Sequence, residues 1–409
     1  MRARFVLTLL AALAACREAD PGGPAGPRIS AAQLAENENL LNIGWGAAVV
    51  SRTGELALES SAIRAIDGDA DTAWASPPLD PEQTLLFSLP APAHIDRVGF
   101  ATPVIPHRRT TALTIEASSD GRSFTLLLSP ELEQSAEPQF FDVLATEARY
   151  IRVTTRKGGR RVAALKSVYV RGRWLEAPSV PPIGDCWTVN GSPASFTESE
   201  GRVTGSVGAE QPLYVDGGVH EAVYRFAWAR GPEWGYALVT LTPGGDHLSG
   251  MTWHEEAAAH SFGTSWFGER RPCRPEPIDP DAVVTTFIRR AGWYPLFSLR
   301  FDSADALVEP ASAGGVQIIE NVQRRLRSER FRIVAHEYRG ATPQENRRRA
   351  EARLQSLRAA LQRRGVELSR IDFVARGGDS PRRPTASESM RLLYGVVEIQ
   401  LPDKARAAF

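Results

Sequence analysis

The 409-residue chain has few cysteines (three), few methionines (three) and no formal net charge, with 48 basic and 48 acidic residues. Charge balance removes any global electrostatic argument for nucleic acid as a partner. Lysine is almost missing, occurring only at Lys157, Lys166 and Lys404. Arginine takes its place throughout, a compositional bias of the coding sequence that carries no function of its own. No stretch after Cys16 is apolar for the ~20 residues that a membrane-crossing helix needs. Catalytic sets are missing too: no carboxylate pair and no Ser-His-Asp arrangement stands out. His254 and His260, in HEEAAAH, are six apart. A zinc protease needs its histidines four apart, on one helical face. What the chain does have is 43% hydrophobic and 23% charged residues, a globular composition with enough apolar side chains for real cores.

The N-terminus opens with Arg2 and Arg4, runs apolar from Phe5 to Ala15 and stops at Cys16. A positive start, a short apolar middle and small residues at the end make a secretory signal peptide, over 1–15. Leu13-Ala14-Ala15-Cys16 resembles the bacterial lipobox. The resemblance implies that Cys16 carries diacylglycerol, is exposed by cleavage and is acylated. Several acyl chains on one residue anchor a protein stably. READPGGPAGPR follows, and residues 16–36 read as a Pro- and Gly-rich tether. From Cys16 onward the chain has about 390 residues, enough for two to four domains. Cys186 and Cys273 are the remaining cysteines, and an even pair in an exported chain is most simply a disulfide.

Residues 37–173 alternate apolar and polar over short runs: TLLFSLP, IDRVGFATP, ALTIEASSDG, ARYIRVTT and LKSVYVRG. Short strands between turn residues predict a β-sandwich. AIDGDADTAWAS (65–76), IEASSDGRSF (115–124) and ARYIRVTT (148–155) follow the order and spacing of the discoidin-like galactose-binding jelly rolls, the domain of coagulation-factor C modules and many carbohydrate-binding modules. ENLLNIGWGAAVVS at the start resembles that family as well. The resemblance implies a structural calcium at Asp67, Asp69 and Thr72, hard oxygen ligands on a tight turn. The late acidic ligand of the family is missing, since Leu165 and Lys166 stand there. The alternative is a turn in which Asp67 bonds local amides. Trp74 reads as core. The loops with His107, Arg108 and Arg109 and with Gly44-Trp45-Gly46 are the candidate sugar contacts; His107, Arg108 and Arg109 read first as a solvated loop and otherwise as a site for an acidic sugar or phosphate.

A Pro-rich linker, APSVPPIGD, marks 174–184. Residues 185–275 are β-rich again, with GRVTGSV, AVYRFAWARG and YALVTLTPGGDHLSGMTWHEE. Glycines at turns and tryptophans between them predict a small antiparallel meander. Cys186 and Cys273 bracket it, and a disulfide over a loop this long stabilises by about 4 kcal/mol in the chain-entropy model.

From 282 to 402 the pattern changes to strands and helices. LFSLRFD reads as a strand, GGVQIIENVQRRLRS as an amphipathic helix and FRIVAHEY as a strand. ATPQENRRRAEARLQSLRAALQRRG reads as a long helix, with Thr342 as N-cap, Pro343 at N1, Glu345 in a capping box and Gly365 as stop. RIDFVARGG and YGVVEIQL add two strands, for a two-layer α+β unit. The order resembles the OmpA-like peptidoglycan-binding domain. Asn346, Arg353 and Leu361 fall on that family's helix positions, LRFDSADALVEP on its opening and GGDSPRRP on its late loop. There an Asp and an Arg clasp the stem peptide's ammonium and carboxylate. Here Arg353 is present, Tyr338 stands at the Asp position, and Glu337 is the nearest acid, one residue away.

The expectation is a multi-domain chain: β-sandwich jelly roll, small antiparallel β domain, then an α+β two-layer OmpA-like domain. It is expected to be a non-enzymatic outer-membrane lipoprotein facing the periplasm, held by lipid at Cys16. Its partners would be a glycan or envelope protein at the jelly roll and peptidoglycan at Asn346, Arg353 and Glu337. A structural calcium is the one cofactor implied. The alternatives are an interaction protein whose two folds have lost their small ligands, and an accessory of a carbohydrate-active enzyme.

Overall fold

The computed structural model describes residues 39–402, apart from 79–81, 106, 107, 109, 136, 157–161, 256–262, 273–277, 280, 327, 328, 338–341, 377–392, 394 and 395. The expected signal, Cys16 and the tether lie outside the described residues. So do Cys273, Tyr338, His107, Arg109, His260 and the GGDSPRRP loop.

The first unit holds β1 (Ala48–Arg52), β2 (Trp74–Ala75), β3 (Glu82–Ala101), β4 (Ala112–Ser118), β5 (Thr125–Leu128), β6 (Gln139–Arg156), β7 (Ala164–Leu165) and β8 (Ser167–Trp174). Its main sheet runs β1-β3-β6-β4-β5 with β8 also on β3, and β2 pairs β7 apart from it. TLLFSLP and IDRVGFATP are one strand rather than two. Pairing of β3 with β6 lapses between Ser88 and Ala93 and then resumes. Pro90 and Pro92 lie in that gap and have no N–H for the ladder, yet the chain does not reverse there. Trp74 is fully buried and its Nε1 donates to Gly54 O at 3.2 Å.

The middle unit is larger in architecture than the meander expected from its sequence. Strands β9 (Asp185–Val189), β10 (Ser192–Ser199), β11 (Arg202–Val207), β12 (Leu213–His220), β13 (Val223–Arg230), β14 (Glu233–Leu241), β15 (His247–His254) and β16 (Thr264–Arg271) form a closed antiparallel barrel. β16 returns to β9, with Gly268 opposite Val189 and Arg271 opposite Cys186. Closure removes both sheet edges. Inside lie Trp187, Phe196, Tyr224, Phe226, Trp228 and Trp266 among smaller apolar residues. The curvature requires close backbone approach: a Cβ at Gly217 would sit 1.9 Å from Arg225 O, and one at Gly235 1.9 Å from Trp253 O. The preceding linker ends inside this core. Ile183 is fully buried there, and its N–H donates to Tyr224 Oη at 3.0 Å.

The C-terminal unit begins with a helix the sequence reading did not identify, α1 (Ala282–Ala291), ended by Gly292 at φ +73°. Then come β17 (Trp293–Pro295), α2 (Ala313–Leu326), β18 (Phe331–Ala335), α3 (Pro343–Arg363), β19 (Ile371–Ala375) and β20 (Val397–Gln400). The sheet order is β17-β20-β18-β19, with β18 and β19 parallel. LFSLRFD is not a strand. Leu296, Phe297 and Leu299 are buried, but Leu299 N–H turns back to Leu296 O. The opening strand lies just before it. The α3 N-terminus matches its sequence signals, since Thr342 Oγ1 accepts from Glu345 N–H at 3.1 Å and Pro343 is the first residue.

Barrel strands β13 to β15 are buried on both faces. Their outward residues Ala227, Ala229, Tyr236, Leu238, Met251 and Trp253 belong to one apolar cluster with residues of the jelly roll and of the C-terminal unit. Trp234, Tyr236, Phe287, Trp293 and Phe297 interlock there, with Trp234 and Phe287 centroids 4.7 Å apart.

Candidate functional sites

In the jelly roll, a short 3₁₀ turn (Ala62–Ala65) leads into Asp67 and the turn after it. Asp67 is 1% exposed. Its Oδ1 accepts from Asp69 N–H at 3.0 Å, and Thr72 Oγ1 donates to Oδ2 at 2.8 Å. Arg64 Nη1 lies 3.5 Å from Oδ2. Burial pushes the Asp67 carboxyl up to about 7, against the pull of the Asp69 amide and Arg64. Asp69 is half-buried, and its Oδ1 accepts from Asp71 N–H at 2.9 Å. So Asp67, Asp69 and Thr72 do converge, but on one another. Among the described residues no cluster of three His, Cys, Asp or Glu is placed to hold a metal ion. Calcium takes six to eight oxygens, and Asp67 oxygens already carry an amide, a hydroxyl and a guanidinium. The described residues do not fit the ion.

The Gly44-Trp45-Gly46 loop does not line an open sugar site. A Cβ on Gly46, at φ +98°, would meet Ala222 Cβ of the barrel at 2.6 Å. Trp45 packs against the shared apolar cluster. Of His107, Arg108 and Arg109 in the other loop, only Arg108 is described.

In the C-terminal unit, Glu337 just past β18 and Arg353 in the middle of α3 come together, with Arg353 Nη2 2.5 Å from Glu337 Oε2. The sequence reading missed their third member. Asp305, at φ +61° in the loop before α2, accepts from Arg353 Nε at 2.8 Å and from Arg349 Nε at 3.0 Å. Glu337 is 2%, Asp305 7% and Arg353 9% exposed. Two carboxylates thus face two guanidiniums in a nearly closed cluster. Asn346 is buried two turns before Arg353 on the same helix. His336 and Glu398 form a second buried pair, Nε2 to Oε1 at 3.2 Å. Arg349 owes its place in the cluster to Asp305, which is 44 residues away in sequence and gave no local signal.

Cys186 is buried on β9; Cys273, its expected disulfide partner, lies outside the described residues. Beside it a cleft of about 970 Å³ runs along the outer barrel wall, lined by Thr188, Ser195, Ser206, Tyr214, Arg271 and Asp279 among others. Nothing in the sequence pattern singled out these residues. His254, weighed as a metal ligand, instead sets its ring edge-on against Trp228 at 4.8 Å.

Residues 49–167 match the model of the F5/8 type C domain. That segment is an F5/8 type C domain. Solved structures of similar modules align with about a third of the chain. One is a family 32 carbohydrate-binding module from Clostridium perfringens in complex with GalNAc-beta-1,3-galactose, at 19% identity and TM-score 0.30, covering 32% of this chain and 99% of that one. Another is a family 32 module of Clostridium perfringens NanJ in complex with galactose, at 20% identity and TM-score 0.27, covering 30% and 98%. A third is a fragment of a putative chitobiase from Bacteroides thetaiotaomicron, at 25% identity and TM-score 0.29, covering 32% and 91%. No curated protein matches the chain. The F5/8 type C domain lies wholly within the jelly roll and shares the strands β1 to β7 with it.

The cluster at Arg353 predicts a stability effect. Arg353→Ala leaves Glu337 and Asp305 buried with one guanidinium between them, and breaking such a set costs about 3–5 kcal/mol. Urea unfolding of the variant is expected to show a loss of that order. Loss within about 0.5 kcal/mol would mean that the cluster is solvated in solution.

Proposed function

We propose that this protein is a non-enzymatic lipoprotein of the cell envelope that holds a glycan through its jelly roll. The observation that carries this reading is the F5/8 type C domain at residues 49–167, a family that includes many carbohydrate-binding modules. The N-terminal LAAC supports the anchor, and the signal before it supports export. The mixed four-stranded sheet with α2 and α3 on the chain order of an OmpA-like domain supports placing the C-terminal unit against the cell wall. In that reading Arg353 would meet a stem-peptide carboxylate and Glu337 an ammonium.

The geometry of that last contact favours a second reading for the C-terminal unit. Arg353 and Glu337 already satisfy each other, and Asp305 and Arg349 complete the balance. A zwitterionic ligand would have to open a buried pair and return at least as many charge-assisted bonds, each about 1.5–3 kcal/mol. A unit whose charges are internally matched serves as a scaffold for the jelly roll, and the protein then contacts its partners through other surfaces.

Two experiments test the proposal. The chain from residue 17 is expected to be retarded in affinity electrophoresis through galactose- or GalNAc-bearing polymers, and free sugar should abolish the retardation. Unchanged mobility across neutral and amino-sugar polymers would remove the glycan reading. Separately, Cys16→Ser is expected to move the full-length protein from the membrane fraction to the soluble envelope fraction. An unchanged distribution, with no acyl mass on the N-terminal peptide, would contradict the lipid anchor.

A further inference from the structure

Arg64 is fully buried, a costly position for a charge that must be matched locally. Its Nη1 lies 3.5 Å from Asp67 Oδ2, and its Nη2 donates to Gly263 O at 2.7 Å. Gly263 belongs to the barrel, at the start of β16, so one guanidinium reaches from the jelly-roll turn into the neighbouring unit. The surroundings are polar and shared between units. Ser61 Oγ meets Ser265 Oγ at 2.5 Å, and Ala62 N–H donates to Glu55 Oε1 at 2.7 Å. Glu55 is itself held by Arg52 at 2.7 Å, and Asp69 and Glu59 add negative charge near Arg64.

We propose that Arg64 is the built-in cation of this turn, standing where a divalent ion would otherwise neutralise Asp67 and tying the turn to the barrel. Three observations converge on this assignment. Asp67 oxygens are committed to the Asp69 amide, the Thr72 hydroxyl and Arg64. A divalent ion added at Oδ2 would sit beside a guanidinium that cannot lose its proton or reach water. And the late position beside this turn, between β7 and β8, carries Lys166 in place of a carboxylate. The consequence is a jelly roll whose turn is set by the chain alone and whose geometry depends on the barrel being docked.

The test is thermal unfolding of the chain from residue 17, in millimolar calcium chloride and in EDTA, for wild type, Arg64→Gln and Asp67→Asn. Wild type and Asp67→Asn are each expected to melt at the same temperature in both media, and Arg64→Gln to melt several degrees lower in EDTA. A saturable calcium-dependent rise of the wild-type midpoint that Asp67→Asn abolishes would overturn the proposal. If Arg64→Gln does not fold, the wild-type and Asp67→Asn pair decides it alone.

Discussion

The apolar outer wall of barrel strands β13 to β15 is the constraint on which the rest of this molecule depends. A small closed barrel ordinarily needs apolar residues inside and polar ones outside. Here Tyr236, Leu238, Met251 and Trp253 face outward and are nonetheless buried. Left in water, side chains of this size would each forgo about 1.5–3 kcal/mol of burial. The jelly roll covers part of the wall with the loop around Trp45. Helix α1, β17 and the turn at Phe297 cover the rest. The barrel is therefore the central piece, and neither neighbour is appended to it by a free linker.

Several polar groups trapped by this docking are matched across the seams. Ser249 Oγ donates to Val49 O at 3.2 Å and accepts from Val49 N–H at 2.9 Å, so a barrel side chain replaces a missing strand partner for β1. Thr240 Oγ1 donates to Ala47 O at 3.0 Å. On the other side Asp216 is fully buried, held by Arg202 through bonds of 2.9 and 2.7 Å and by Tyr294 from β17. Burial drives the Asp216 carboxyl upward, with a smaller push from Asp281, and Arg202 opposes it. The same internal matching recurs at Arg64 and Arg353.

Much of this was legible in the sequence, and the rest was hidden for definable reasons. The jelly roll could be read because its motifs, from AIDGDADTAW to ARYIRVTT, are local and ordered. The α3 boundaries could be read because capping is local chemistry at Thr342 and Pro343. Barrel closure could not, because it is a pairing of Gly268 with Val189, far apart in sequence, that no turn signal announces. Helix α1 was missed because AVVTTFIRRA is rich in β-branched residues, whose weak helix preference is overridden by Val283, Val284, Phe287 and Ile288 packing on one face. Asp305 was missed for the same reason as closure: its partners Arg349 and Arg353 come from α3. The near-continuous apolar runs VYRFAWAR and YALVTL did carry a signal. Runs buried on both faces are what a strand shows when something lies on each side of it.

If the barrel wall is the organising contact, the three units should not unfold separately. Differential scanning calorimetry of the chain from residue 17 tests this directly. The account predicts one transition, with calorimetric and van't Hoff enthalpies equal. Two or more resolved transitions, with the jelly roll or the C-terminal unit melting apart from the barrel, would contradict it.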